Sequence, residues 1–163
     1  MHRWLTFMLA AALTLAGATC ASAADTAAPA AAPTLRFADF FRQPTGPRGL
    51  EPSARLLAAN RQRVTLVGYM VATEWPRAGR FLLTALPVRM SEHADGDADD
   101  LPPATVAVWL DASQQAQVLP HQGGLIALTG VLHYGRHEEP DGRVVWVGLQ
   151  LDADAVKPAT AKP

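Results

Sequence analysis

The chain has 163 residues, 14 of them basic and 15 acidic, for a formal net charge of −1. That length suits one domain with flanking segments, and so even a charge balance provides no field for gathering nucleic acid. The single cysteine, Cys20, excludes an internal disulfide framework.

Met1 to Ala23 (residues 1–23) reads as a signal peptide. His2 and Arg3 form a basic start, Trp4 to Gly17 is apolar and uncharged, and Ala21-Ser22-Ala23 has the small-x-small pattern of a cleavage site. The apolar run is shorter than the roughly 20 residues of a membrane span. The expected product is a mature chain without a transmembrane segment, periplasmic or secreted. An uncleaved anchor and lipidation of Cys20 are the alternatives, but the run is short for an anchor and Gly17-Ala18-Thr19 lacks the usual leucine ahead of such a cysteine. Edman degradation of the exported protein is expected to begin at Ala24. A lipid-modified Cys20 at the first position would contradict this.

Residues 24–34 are an Ala/Pro tether with nothing to bury, and residues 157–163 form a tail of the same kind; both are expected to be disordered. Residues 35–156 are read as one domain. It opens with a segment in which Leu35, Phe37, Phe40 and Phe41 are bulky while Pro44, Gly46, Pro47 and Gly49 break regular structure. Such a segment is expected to wrap the core and bury Phe37 with Phe40 or Phe41. Ser53 to Asn60 predicts a short helix capped by Ser53, ended by Asn60, with Leu56 and Leu57 facing inward.

Five strands come next: Arg63 to Val71, Gly79 to Leu86, Ala104 to Leu110, Gly124 to Tyr134 and Arg143 to Leu151. Pro76 marks the link between the first two, and Glu138-Glu139-Pro140-Asp141-Gly142 marks the turn between the last two. The first and fourth strands share a pattern, Val64-x-Leu66-x-Gly68-x-Met70 and Ile126-x-Leu128-x-Gly130-x-Leu132. Glycine inside a strand marks a bend, a bulge or a close backbone approach, and small barrels need bends to close. In the third strand Val106 and Val108 share a face and Trp109 takes the other. Asp111 to Leu119 allows one or two helical turns, capped by Asp111 or Ser113. Three strands, a short helix and two strands is the order of a mostly β, five-stranded OB-like barrel. An SH3-like barrel is the alternative.

Chemistry is sparsely marked. The acidic loop 91–100 carries His93, Asp95, Asp97 and Asp99, with Glu92 and Asp100 beside them. Alternating oxygen ligands suit a hard divalent cation. The helix-loop-helix calcium pattern fails, however, since its glycine position holds Asp100 and its terminal glutamate position holds Val106. The plain reading is a solvated loop. His133 and His137 would share a strand face about 13 Å apart, at roughly 3.3 Å per residue, too far for one ion unless the strand bulges. No phosphate loop, G-x-S-x-G or H-E-x-x-H pattern is present. The reading is therefore of a non-enzyme that needs no cofactor. Arg77, Arg80 and Arg89 near the second strand, with Trp75 and Trp109, carry the residue types of a nucleic-acid face, but the neighbouring acidic loop opposes phosphate.

Several runs, in order, carry a resemblance: Gly46 to Pro52 (GPRGLEP), Arg55 to Leu57, Arg63 to Val71 (RVTLVGYMV), Phe81 to Thr84 (FLLT) and Ala98 to Ala104 (ADDLPPA). Over Leu35 to Leu151 the chain resembles a group of small exported bacterial proteins of unknown function. Members often carry a cysteine pair after the second strand; Ser91 and Ala94 stand at those positions, and Leu101 replaces a tryptophan. A thiolate role therefore does not transfer. The resemblance implies an accessory role beside ABC transporters of the macrolide-exporter type, with a protein partner in the cell envelope.

Overall fold

The computed structural model describes residues 31–90, 92–93, 96–97, 101–140, 142–153 and 155. The leader, tether residues 24–30 and the tail lie outside them, as do Asp95 and Asp99. The described residues form one compact unit.

A 3-10 turn, Phe37–Asp39, precedes helix α1, Ala54–Ala59. Then come β1 (Arg63–Met70), β2 (Ala72–Thr73), β3 (Arg80–Thr84), β4 (Arg89–Met90), β5 (Glu92–His93), β6 (Gly96–Asp97), β7 (Val106–Trp109), β8 (Leu125–Glu138) and β9 (Val144–Leu151). The fold is mostly β. Five strands hydrogen-bond in the order β1-β3-β7-β9-β8, and β8 pairs back onto β1, so the sheet closes into a ring. All neighbours are antiparallel except β7 and β9. Alternation places Val64, Leu66, Leu83, Val106, Val108, Leu128, Leu132, Val147, Leu149 and Leu151 in the core.

The ring is weakest between β1 and β3, which pair only at Tyr69↔Thr84 and Met70↔Leu83. The N-terminal segment takes the rest of that edge of β1. Leu35 donates to the Thr65 carbonyl at 3.0 Å, and Thr65 donates to the Pro33 carbonyl at 2.9 Å. Leu35, Phe37 and Phe40 then drop into the gap and are buried, the two rings 5.2 Å apart. Phe41 stays half-buried. This segment is the wall that the short β1–β3 ladder leaves missing.

Helix α1 is held to the same wall. Ser53 caps it by accepting from the Leu56 amide at 3.0 Å, and its hydroxyl donates to the Asp39 carbonyl. The Asp39 carboxylate meets Arg36 and Arg55. The Arg36 hydrogen bond holds Asp39 below the usual carboxylate range. Its contribution is therefore present at neutral pH and lost as pH falls through that lowered value. Leu56 is fully buried, but Leu57, expected inside, is half exposed; a helix of this length covers the core with one residue.

Gly68 and Gly130, the glycines of the shared strand pattern, mark close approach. A Cβ on Gly68 would lie 2.7 Å from the Thr84 carbonyl oxygen and 2.8 Å from Phe37 Cε2. One on Gly130 would fall against the Gln150 carbonyl. Gly68→Val is expected to destabilise by about 1–3 kcal/mol, through overpacking on both sides at once. A denaturant melt matching the wild type would contradict it.

The helix expected between the third and fourth barrel strands is absent. Asp111 caps as predicted, accepting from the Ser113 amide, but the cap opens only a single 3-10 turn, Ala112–Gln114. Among the described residues the α-helix instead precedes the first strand. The fourth strand runs past Tyr134 to Glu138, with a register shift between Tyr134 and His137. Gly135, at φ +151°, supplies the irregular backbone there.

Candidate binding site

The outward faces of β3, β7 and β9 carry a polar cluster assembled by register. Arg80 lies opposite Trp109 across the β3–β7 ladder, and Trp109 opposite Gln150 across β7–β9. The indole crosses Gly148, where a Cβ would fall 2.1 Å from two atoms of the ring. Gly148 is thus the floor of the site, and any side chain there would lift Trp109 off the sheet. Gln150 fixes the strand end by donating to the Leu110 carbonyl at 3.0 Å.

Glu139 enters from the far end of β8. Its amide donates to the Arg143 carbonyl at 2.7 Å, and its carbonyl accepts from Gly142 at 2.8 Å, which closes the turn before β9. Its side chain folds back over the sheet and is only 5% exposed. One carboxylate oxygen pairs with Arg80, and the other accepts from Trp109 Nε1 at 3.0 Å. His137 Nε2 stands 3.7 Å from that second oxygen, with its ring edge-on to Trp109 at 4.7 Å. His133 approaches the same indole at 6.2 Å. His133 reaches the indole from the regular register opposite Gly148, and His137 reaches it from beyond the register shift.

Beside this cluster lies a cleft of about 70 Å³. Arg77, Arg80, Arg143 and Glu139 line it on the polar side, and Met70 and Trp75 on the apolar side. It opens between the loop preceding β3 and the turn preceding β9. Trp75 is 69% exposed.

Of the residues singled out from sequence, Trp75, Arg77, Arg80 and Trp109 do meet on this face, while Arg89 lies away from the cleft, beside Tyr69 and His121. Glu139 is not marked in the sequence, since nothing in the Glu138-Glu139 pair distinguishes the buried carboxylate from the exposed one. Its one trace is an arginine and a tryptophan on outward positions of adjacent strands, a pair that requires a counter-charge. The backbone of His93 and Asp97 lies on the β5–β6 hairpin, with His93 facing Gly96 and Glu92 facing Asp97. Among the described residues, no three His, Cys, Asp or Glu side chains gather as metal ligands, and no helix is long and apolar enough to cross a membrane.

No protein-family model matches the chain, and no curated protein matches it. Among solved structures, it is similar to the crystal structure of a DUF3299 family protein from Pseudomonas aeruginosa, with 12% identity and a TM-score of 0.43. The match covers 74% of this chain and 93% of that one. The likeness is too distant to carry residue roles across.

Proposed function

We propose that the chain is an exported, non-enzymatic binding module of the cell envelope whose barrel is of the OB type. In this reading it serves a protein partner, in an envelope complex such as one built on an ABC transporter. The barrel order, first-second-third-fifth-fourth strand with one parallel pair, supports the OB assignment over an SH3-like one. The observation that carries the functional reading is the place of the cleft. It lies over the second and third barrel strands, between the loop joining the first two and the turn joining the last two. Barrels of this type take extended ligands there. The envelope setting rests on the leader and on the family resemblance.

The buried Arg80–Glu139 pair suits binding better than catalysis. Its carboxylate is held by a guanidinium and an indole, an arrangement that fixes a surface and leaves no base poised over a substrate. Paired affinity capture tests the reading. An envelope protein recovered with the wild type is expected to be strongly depleted with Trp75→Ala, whose fold is untouched because the side chain is exposed. Equal recovery would overturn the cleft as the docking place.

A divalent cation in the acidic loop, at His93, Asp95, Asp97 and Asp99, is the second reading. It rests on the alternating acidic residues of the sequence, whose oxygens suit a hard divalent cation. The binding-module reading expects calcium and zinc to leave the melting temperature unchanged. A bound ion at 100 times its dissociation constant would add about 2.7 kcal/mol. A shift abolished by Asp95→Ala with Asp97→Ala would establish the cation instead.

A further inference from the structure

We infer that the chain carries a second site, an open groove at Trp109 that binds a short stretch of oligosaccharide. The groove is lined by residues of β7, β8 and β9 and has a volume of about 540 Å³. It shares no lining residue with the cleft. Glu139 links the two, since it lines the cleft while its carboxylate holds the Trp109 indole.

Trp109 is the fixed part of the groove. Its Nε1 donates to Glu139 at 3.0 Å, and its six-membered ring lies against the Gly148 backbone. A half-buried indole pinned at two points offers apolar surface that need not be ordered when a ligand arrives. His133 and His137 stand at 59° and 63° to it, so neither imidazole makes a parallel slot with the indole. A flat base would need such a slot. A pyranose ring is puckered, with C–H groups on a face and hydroxyls round its rim, and fits an open corner.

The groups round the indole match that rim. Among the described residues, the His133 imidazole and the Tyr134 hydroxyl make no hydrogen bond to protein. An imidazole and a phenol can each donate and accept, as sugar hydroxyls do. Gln150 donates its amide N–H groups to the carbonyls of Leu110 and Leu151, which leaves Oε1 as an acceptor. Among the described residues no carboxylate lines the groove, and its one guanidinium, Arg136, pairs with Glu138 at 3.0 Å. Recognition is thus by ring contact and hydrogen bonds of both senses, which suits an uncharged polyol. The volume of about 540 Å³ is over three times the ~150 Å³ that accommodates a benzene ring. The groove therefore takes more than one sugar ring, and its open side admits a chain.

NMR titration of the mature chain tests the inference, with chitotetraose, maltotetraose and, as a flat-base probe, adenosine, each at millimolar concentration. At least one tetrasaccharide is expected to shift the Trp109 indole N–H resonance and to leave that of Trp75 in place. Tighter binding of chitotetraose would support the site as one for an amino-sugar polymer, and tighter binding of maltotetraose would support it as one for a glucan. His133→Ala, at an exposed position, is expected to weaken the binding about fivefold, the effect of losing one hydrogen bond, with the melting temperature unchanged. Equal binding by the wild type and His133→Ala, or a shift at Trp75 alone, would overturn the groove as the site. A shift from adenosine with none from either sugar would assign the indole to a base and overturn the oligosaccharide. No shift from any probe would overturn the inference outright. Partner docking at the cleft is untouched by these results, since capture with Trp75→Ala tests it separately.

Discussion

Removal of everything before Gln62 is expected to leave an unfolded or aggregating chain. The five strands would all remain, but β1 and β3 hold each other by two residue pairs only. The missing wall is Leu35, Phe37 and Phe40, which are respectively 3%, 8% and 0% exposed. Burial of a phenylalanine stabilises by roughly 1.5–3 kcal/mol, and truncation of a buried one to alanine costs about 3–5 kcal/mol once the cavity is included. A domain with 5–15 kcal/mol of total stability, roughly, does not survive the loss of two such rings and Leu35 together with two strand-edge hydrogen bonds. Phe40→Ala is the graded version, expected to lower stability by about 3–5 kcal/mol in a denaturant melt. A truncated barrel that stayed monomeric with an undiminished melting temperature would show that the segment is separate from the fold. Its phenylalanines would then be the leading candidates for partner docking.

Glu139→Ala is expected to cost about as much, roughly 3–5 kcal/mol, for a different reason. Arg80 and Glu139 have side chains 15% and 5% exposed. Deleting the carboxylate takes the Glu139 charge from a largely buried guanidinium and the acceptor from the Trp109 indole N–H. The apolar area lost is small, so the cost is electrostatic and not a cavity cost. Glu139→Gln separates the two interactions, because the amide oxygen can still accept from Trp109 while the charge is gone. It is expected to fall between the wild type and Glu139→Ala. A Glu139→Ala melt within experimental error of the wild type would show that the pair is solvated and does not organise the cleft.

Much of the barrel was legible because period-two alternation is a local property. Val64 and Leu66, and Val145 and Val147, face inward as their spacing requires. The Ser53 cap and the Asn60 stop were legible for the same reason. The failures lie where pairing between distant strands overrides local preference. His133 to Glu138 reads as polar and interrupted by glycine, yet it stays extended because β9 resumes pairing at His137↔Val145. The expected helix after Asp111 had its cap but no apolar stripe to bury, so one 3-10 turn is all that forms. The site was half legible: Arg80 and Trp109 are conspicuous on neighbouring strands. Glu139 was hidden in a turn whose sequence states only that the chain reverses. What made it a site residue is the fold-back of that turn over Trp109, a consequence of tertiary structure.

The cleft beside Arg80 and Glu139 is, on this reading, where a protein partner docks. Site-specific photo-crosslinking in growing cells tests that claim most directly, with a benzoylphenylalanine replacing Trp75. The control places the same group at Val118, which is also exposed but does not line the cleft. One discrete envelope-protein adduct is predicted from position 75 and none from position 118. Adducts indistinguishable between the two positions, or none from position 75, would contradict it.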